Sequence, residues 1–251
     1  MNAYKVFSKF YDQYMRDTFP LLHQKYFNLV LEIVDKFKPD ITSILDASCG
    51  TGILAKMFLE SGYNIEGSDI SKDMLVYASQ KGIKTYNKDI CNLDLNRQYD
   101  VILFFDSFGH VLGNKNLEKA LSSISRCLRH NGILICDGGT REKANNMIGQ
   151  TYNYDSKDYL LTWMNKKQED FVNVHIRIYE KKSKRSFEEN FCLEGHDIED
   201  IIAAASATDL KLCYATIEPI VKPNGSFVAC LRKDAKANIT QPTNKPDLDN
   251  G

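Results

Sequence analysis

The sequence predicts an α/β protein built on a doubly wound, mainly parallel sheet. Three observations indicate this fold class. Short apolar segments that suit buried strands alternate with segments of helical periodicity from about residue 41 to residue 139. The first predicted strand runs into a glycine loop, "DASCGTG", in front of a helix. The length of 251 residues, of which 43% are hydrophobic, suits one such domain with additional segments.

The elements of the predicted sheet follow one another in a regular order. Two helices come first, because aromatic and aliphatic residues recur at helical spacing over residues 4–36, with a break at "DTFP". The next elements are strand "ITSILDA", a helix over about 52–61, strand "YNIEGSD", a helix over about 71–81, strand "IKTYN", a loop, strand "YDVILFF", a helix over 114–129 and strand "GILICDG". Strands that alternate with helices pair in parallel through right-handed crossovers.

The pattern changes after Gly139. Apolar and polar residues alternate in "DFVNVHIRIYE", which places Val172, Val174, Ile176 and Ile178 on one face, and they alternate again in "RSFEENFCL". These segments predict an antiparallel ribbon with a basic turn. A helix at "GHDIEDIIAAASAT" and strands at "LKLCYATI" and "GSFVACLR" then complete the sheet.

Three regions are therefore expected along the chain. Residues 1–36 form a helical cover, and residues 37–234 form the main domain with an insertion at about 141–195. Residues 235–251 are polar with almost no apolar content, so we expect a disordered tail.

Composition favours a small-molecule partner. The chain has 32 basic and 33 acidic residues and lacks the basic field on which nucleic-acid affinity depends, so no nucleic-acid partner is expected. The seven cysteines include no CxxC pair and no His/Cys cluster at metal spacing, which predicts reduced thiols and no metal site. No window approaches the roughly 18 to 20 apolar residues of a membrane span. We expect a soluble cytoplasmic protein without a membrane partner, as a monomer or homodimer.

The glycine loop predicts a ligand site. Gly50 and Gly52 permit close approach of a ligand, and the following helix presents its N-terminal amides. The loop lacks the lysine of a P-loop, which disfavours nucleotide triphosphate hydrolysis. A dinucleotide site stays open, since Ala55 can replace a third glycine. Asp46 beside the loop would repel a pyrophosphate but attract a cation such as an amino group or a sulfonium.

Two further acids follow the next strands. Asp69 ends the second strand, 17 residues beyond Gly52, at about the offset where an acid in such folds accepts hydrogen bonds from ribose hydroxyls. Asp89 follows the third strand, where a carboxylate can accept from an adenine amino group, although loop aspartates are commonly solvated or capping. Met74 is spaced to lie against an adenine or simply to pack.

Together, "ILDASCGTG", "GSDIS..ML" and "KDI" resemble the class I S-adenosylmethionine-dependent methyltransferase family, over roughly residues 40–140. The resemblance implies a doubly wound, Rossmann-like seven-stranded sheet of order 3-2-1-4-5-7-6, with strand 7 antiparallel. It also implies the cofactor S-adenosyl-L-methionine, with S-adenosyl-L-homocysteine as product, across the carboxyl ends of strands 1 and 2. The cofactor-binding residues it implies are Tyr11, Asp46, Ala47, Ser48, Gly50, Gly52, Asp69, Ile70, Met74, Asp89, Ile90 and Phe105. Ser48 replaces the family's first loop glycine, so that position must keep a conformation open to serine.

The segment after the fourth strand, "FFDSFGHVLG", bears on the methyl acceptor. It contains neither [DNS]PP[YFW], the signature of enzymes that methylate exocyclic or amide nitrogens, nor the Pro-Cys nucleophile of cytosine C5 enzymes. It resembles the segment of small-molecule N-methyltransferases, both glycine N-methyltransferase-like and aminosugar N,N-dimethyltransferase-like, which implies an amine acceptor. "FYDQYM" likewise resembles a helix that covers the cofactor in those enzymes.

His110 is the candidate catalytic residue, because imidazole titrates near neutral pH and can take a proton from the acceptor. A packing or capping role for His110 stays equally open. The residues expected to contact the acceptor are Tyr14, Ser107, His110, Trp163 and His196.

The predicted function is in-line transfer of a methyl group from S-adenosylmethionine to a small molecule, at an amine nitrogen. Three alternatives stay open at this point: a small-molecule O-methyltransferase, a nucleotide-binding oxidoreductase, and a non-catalytic module that binds S-adenosylmethionine.

Overall fold

The computed structural model describes residues 4–38, 40–216 and 225–234. Along the chain the elements are α1 (Ser8–Thr18), α2 (Leu22–Phe37), β1 (Ile44–Asp46), α3 (Ile53–Glu60), β2 (Ile65–Asp69), α4 (Lys72–Gln80), β3 (Lys84–Asn87), β4 (Tyr99–Phe104), α5 (Asn114–Cys127), β5 (Leu128–Gly139), α6 (Arg141–Met147), β6 (Thr151–Asp155), β7 (Tyr159–Gln168), β8 (Phe171–Glu180), β9 (Arg185–Leu193), α7 (Ile198–Ala205), β10 (Leu210–Thr216) and β11 (Ser226–Lys233). The tail expected at residues 235–251 lies outside the described residues.

Seven strands form the main sheet, in the order β10-β11-β5-β4-β1-β2-β3. Strands β1 to β5 pair in parallel, and β11 is antiparallel to both β5 and β10. This arrangement confirms the predicted order 3-2-1-4-5-7-6 with strand 7 antiparallel. Helices cover both faces of the sheet, which is why every residue of β4 is buried.

The insertion is a second sheet of four antiparallel strands, in the order β6-β7-β8-β9. The expectation of a two-stranded ribbon was incomplete, because it omitted β6, β7 and the preceding helix α6. Four of the five residues of β6 are exposed, so this edge strand carries no alternation of buried and exposed residues. The face predicted for β8 is correct: Val172, Val174, Ile176 and Ile178 are all buried.

The N-terminal helix α1 links the two sheets. Its Phe10 and the preceding Phe7 pack on the buried face of the second sheet. On its other side, Asp12 accepts a hydrogen bond from the Thr51 hydroxyl at 2.5 Å and pairs with the Lys81 ammonium at 2.6 Å. Lys81 also donates to the Thr51 carbonyl at 2.7 Å. These contacts fasten the helix to the glycine loop.

None of the helices in the described ranges is long and apolar enough to cross a membrane. The division into cover, main domain and tail stays a prediction.

Candidate active site

The glycine loop leaves β1 at Asp46 and enters α3 at Gly52. Gly52 has a φ of +79°, and a Cβ atom there would lie 3.0 Å from the Cβ of Ala78 on α4. Gly50 has a φ of +52° and open space where its side chain would be. Gly52 is therefore needed for backbone shape and for close packing, whereas Gly50 leaves room for a ligand beside the backbone.

Ser48 is accommodated without backbone strain. Outside glycine, the positive φ angles among the described residues belong to Tyr4, Asp106, Asn131, Glu169 and Lys184, so Ser48 keeps an ordinary conformation. Its hydroxyl donates to the Phe105 carbonyl at 3.0 Å. Serine at this position thus ties the glycine loop to the segment that follows β4.

Asp69 holds the first two strand ends together. Its Oδ2 accepts from the Gly50 amide at 2.9 Å, and its Oδ1 accepts from the Ser71 amide at 2.8 Å. Burial raises the pKa of Asp69, while these amide hydrogen bonds lower it. Each carboxylate oxygen has a further lone pair, so Asp69 can still accept hydrogen bonds from ligand hydroxyls.

A small cleft, with a cavity volume of about 50 Å³, opens between the glycine loop and the helical cover. It is lined by Tyr11, Leu22, His23, Tyr26, Asp46, Ser48, Cys49, Gly50, Thr51, Ile53, Leu54, Phe105 and Asp106. Of the residues expected to bind the cofactor, Tyr11, Asp46, Ser48, Gly50 and Phe105 are brought together here.

Asp46 is the buried charge of this cleft, with 4% of its surface exposed. Burial raises its pKa to about 7, and the negative charge of Asp69 acts in the same direction, while a hydrogen bond from the Ser48 amide opposes the shift. A cation beside Asp46 would favour the ionised carboxylate. The donor set of the cleft therefore fits a ligand that carries an ammonium or sulfonium group.

The remaining residues expected at the adenine lie outside the cleft lining. Ile70 is 68% exposed, so it offers an apolar surface to a flat ring, whereas Met74 is buried and packs. Asp89 accepts from the Cys91 amide at 2.8 Å and caps a short 3-10 turn that begins at Ile90. Ala47 is buried, and its amide donates to a β4 carbonyl.

An aromatic enclosure stands between the cover and the second sheet, built from Tyr4, Phe7, Tyr14, Trp163 and Phe191. The Tyr14 and Trp163 rings are stacked, with centroids 6.3 Å apart and planes 13° apart. The Trp163 and Phe191 centroids are 5.9 Å apart. Two predicted acceptor contacts, Tyr14 and Trp163, therefore belong to one enclosure.

His110 borders this enclosure. Its ring centroid lies 5.1 Å from that of Phe191, and its Nε2 lies 3.0 Å from the Tyr4 hydroxyl. Burial lowers the pKa of His110, and the negative charge of Asp106 partly offsets this effect. The imidazole is therefore neutral near pH 7 and able to take a proton.

Ser107 and His196 are the other two residues predicted to contact the acceptor. Ser107 opens the short 3-10 turn Phe108–His110, and its carbonyl accepts from the His110 amide at 3.0 Å. His196 is fully buried, with Nε2 hydrogen-bonded to the Val111 carbonyl at 2.8 Å and its amide to the Gly139 carbonyl. His196 thus links the end of β5 to the residue that follows the turn, and its contact with the acceptor stays a prediction.

Sequence reasoning missed two residues, Tyr4 and Asp106. Asp106 lines the cleft, has a φ of +57°, and donates its amide to Asp137 at 2.5 Å. Its charge also raises the pKa values of Tyr11 and Tyr14, so it stands between the cleft and the enclosure. The position of Asp106 in the sequence could have indicated its role. It follows the end of strand β4, just as Asp46 ends β1 and Asp69 ends β2.

Comparison with known proteins identifies this arrangement. A family model described as a methyltransferase domain matches residues 45–136, from β1 to β5. Residues 45–136 are thus similar to a methyltransferase domain. The resemblance inferred from the strand-end motifs is thereby confirmed.

The similar proteins of known name match part of the chain. A dTDP-3-amino-3,6-dideoxy-alpha-D-glucopyranose N,N-dimethyltransferase of Streptomyces fradiae is 27% identical over 42% of this chain and 42% of its own length. A glycine/sarcosine N-methyltransferase of Halorhodospira halochloris is 33% identical over 40% of this chain and 41% of its own length. A ubiquinone biosynthesis O-methyltransferase of Rickettsia bellii is 27% identical over 57% of this chain and 60% of its own length. The chain thus spans less than two thirds of each relative.

Solved structures match the whole fold. A S-adenosylmethionine-dependent methyltransferase from Clostridium acetobutylicum superposes with a TM-score of 0.80 at 22% identity, covering 91% of this chain and 99% of that chain. Because 91% of the chain is covered, the structural likeness extends well beyond residues 45–136. The chain therefore has the same fold as that structure.

Proposed function

We propose that this chain is a S-adenosylmethionine-dependent methyltransferase that acts on a small molecule at an amine nitrogen. The observation that carries the proposal is the pairing of two sites. A cleft with the buried carboxyl Asp46 adjoins an aromatic enclosure that contains a neutral imidazole, His110, and Asp106 lies between them. Two of the three relatives named above are N-methyltransferases, which adds support, and the third is an O-methyltransferase.

The cleft fits the cofactor through its donor set. Asp46 would hold the ammonium of the methionine part, and the open space beside Gly50 admits it to the loop. Asp69 would accept from the ribose hydroxyls, and exposed Ile70 would lie against the adenine. When bound, S-adenosylmethionine supplies a methyl group on a positively charged sulfur, and transfer requires an unprotonated nucleophile in line with it.

The residues of the chain supply two further requirements. His110 takes the proton of an acceptor that arrives as an ammonium, because its own pKa is lowered by burial and it is neutral at physiological pH. The rings of Tyr14 and Trp163 exclude water and attract a cation through their faces. An amine satisfies both features, since it is a cation on arrival and a nucleophile once deprotonated.

The test is an acceptor screen with S-adenosylmethionine that carries a ¹³C-labelled methyl group. The panel holds nucleotide-linked aminosugars, small amino acids, phenols and carboxylic acids, and carbon NMR distinguishes N-methyl from O-methyl products. We expect turnover with amines, a label on nitrogen, and stoichiometric release of S-adenosylhomocysteine.

The other outcomes assign the other functions. A label on oxygen alone would reassign the chain as an O-methyltransferase. Binding of S-adenosylhomocysteine without acceptor-dependent release would leave a binding module, and stabilisation by NAD alone would indicate an oxidoreductase. A matched variant, His110→Ala, is expected to keep cofactor binding and lose turnover near neutral pH.

A further inference from the structure

We propose that Tyr4 is a second member of the proton-transfer machinery: its hydroxyl carries the acceptor's proton to Nε2 of His110. The inference rests on the proposed function, because it requires an acceptor that arrives protonated. Tyr4 precedes the first helix and is one of the 13 tyrosines of the sequence.

The contact between the two side chains is direct and enclosed. The Tyr4 hydroxyl lies 3.0 Å from His110 Nε2, and both rings pack against Phe191 with centroids 5.1 Å away. Tyr4 itself is only partly buried, and the relay places the bound acceptor beside its hydroxyl. A proton that moves from the acceptor to Nε2 of His110 therefore passes through the Tyr4 oxygen.

Both groups of this hydrogen bond are neutral. Burial raises the pKa of Tyr4 well above its ordinary value, so the phenol keeps its proton. Burial lowers the pKa of His110, so the imidazole is neutral. The relay uses the tautomer in which Tyr4 donates to Nε2, so that Nδ1 carries the imidazole proton and Nε2 is the basic nitrogen.

The surrounding charges support this assignment. Besides His110, the ionisable groups that act on Tyr4 are Tyr11 of α1, Asp106 after β4, Asp69 of β2 and Glu189 of β9. All four raise the pKa of the phenol. The positive charge of a protonated His110 would in turn be favoured by Asp106.

Tyr4 is held in place, which argues against its simple displacement by the acceptor. Glu189 accepts hydrogen bonds from the Val6 amide and, at 3.3 Å, from the Phe7 amide, so the segment before α1 is anchored to the second sheet. The Tyr4 backbone has a φ of +66°, an uncommon conformation for an aromatic residue. Strained residues of this kind cluster at functional sites.

The proton transfer balances without a further reactant. The acceptor ammonium gives a proton to the Tyr4 oxygen as the Tyr4 proton moves to Nε2 of His110. The phenol is thereby restored, the amine has a free lone pair for the methyl group, and His110 is an imidazolium with protons on both nitrogens. After the product leaves, the Nε2 proton returns through the Tyr4 oxygen to solvent, which restores the starting tautomer with its proton on Nδ1.

The test compares Tyr4→Phe with wild-type protein, and with Tyr63→Phe as a matched control outside the cleft and the enclosure. For Tyr4→Phe we expect kcat/KM at pH 6.5 to fall roughly 10²-fold. The loss should shrink towards pH 10, where the acceptor is already deprotonated, and the affinity for S-adenosylhomocysteine should stay within twofold. A structural defect would instead lower activity equally at every pH.

A second readout needs no turnover. In ¹⁵N-histidine NMR spectra, His110 of the wild type is expected to show an unprotonated Nε2 that accepts a hydrogen bond, and Tyr4→Phe should shift that resonance. A proton on Nε2 in the wild type, or a loss of activity that does not depend on pH, would overturn the relay. If the wild type methylates no amine, the proposed function itself fails and the relay fails with it.

Discussion

Replacing Asp46 with Asn tests the electrostatics of the cleft. The carboxyl is buried and its pKa rises from 3.8 to about 7, so between these values the folded chain holds a proton that the unfolded chain has lost. Stability therefore falls as pH rises through this window, and the loss is complete above the folded pKa. Since one pKa unit corresponds to about 1.4 kcal/mol, ionisation of Asp46 costs the folded state about 4 kcal/mol at pH 8.

Asparagine has the same size as aspartate and no charge, so the variant has no buried carboxyl whose ionisation would destabilise the folded state. We expect its free energy of unfolding, relative to wild type, to improve by about 2 to 3 kcal/mol from pH 5 to pH 8. Any cost of the new amide group does not depend on pH and drops out of this difference. The assay is urea denaturation followed by circular dichroism, without cofactor, at one-unit pH intervals.

The control is Asp35→Asn, which changes an exposed carboxylate on α2 and removes the same charge. A difference between Asp46→Asn and wild type that stays constant from pH 5 to pH 8 would refute the buried-carboxyl interpretation. A matching pH dependence in the control would refute it as well.

Three further perturbations probe the glycine loop and the cover. Asp69→Ala is expected to weaken binding of S-adenosylhomocysteine at least tenfold in calorimetry, and unchanged affinity would exclude the ribose contact. Gly52→Ala should lower stability by about 1 to 3 kcal/mol more than Gly50→Ala in urea denaturation, because only the first adds a Cβ atom against α4. Equal losses would contradict this packing. Thr51→Val removes the hydroxyl bound to Asp12 and should speed hydrogen exchange in α1 while leaving the main sheet unchanged. Unaltered exchange in α1 would show that the loop does not hold the cover.

Local signals made the main sheet and the loop predictable. Apolar strands buried on both faces leave continuous hydrophobic runs, and the acids Asp46 and Asp69 stand at strand ends where parallel strands meet at one edge. The structure brings both acids to the glycine loop, as expected from the sequence. Ser48 was the one departure from the family pattern, and its hydroxyl bonds a neighbouring carbonyl without strain.

The missed features depend on contacts between distant segments. Edge strand β6 is mostly exposed, so its sequence lacks the alternation that reveals a strand. The partnership of Tyr4 and His110 joins residues 106 positions apart, and no local pattern reports it. The ring of His196 likewise bonds the carbonyl of Val111, which is distant in the sequence, so no local pattern reports this contact.

Calorimetric titration with S-adenosylhomocysteine at pH 6, in buffers of different ionisation enthalpy, tests the cofactor site most directly. If the ligand's ammonium lies beside Asp46, the carboxyl ionises on binding, so we predict one bound ligand per chain and release of about one proton. The Asp46→Asn variant should release none, and NAD should give no heat. Binding of NAD alone, or tight binding of S-adenosylhomocysteine with no proton released, would contradict the proposal that Asp46 binds the cationic group of the ligand.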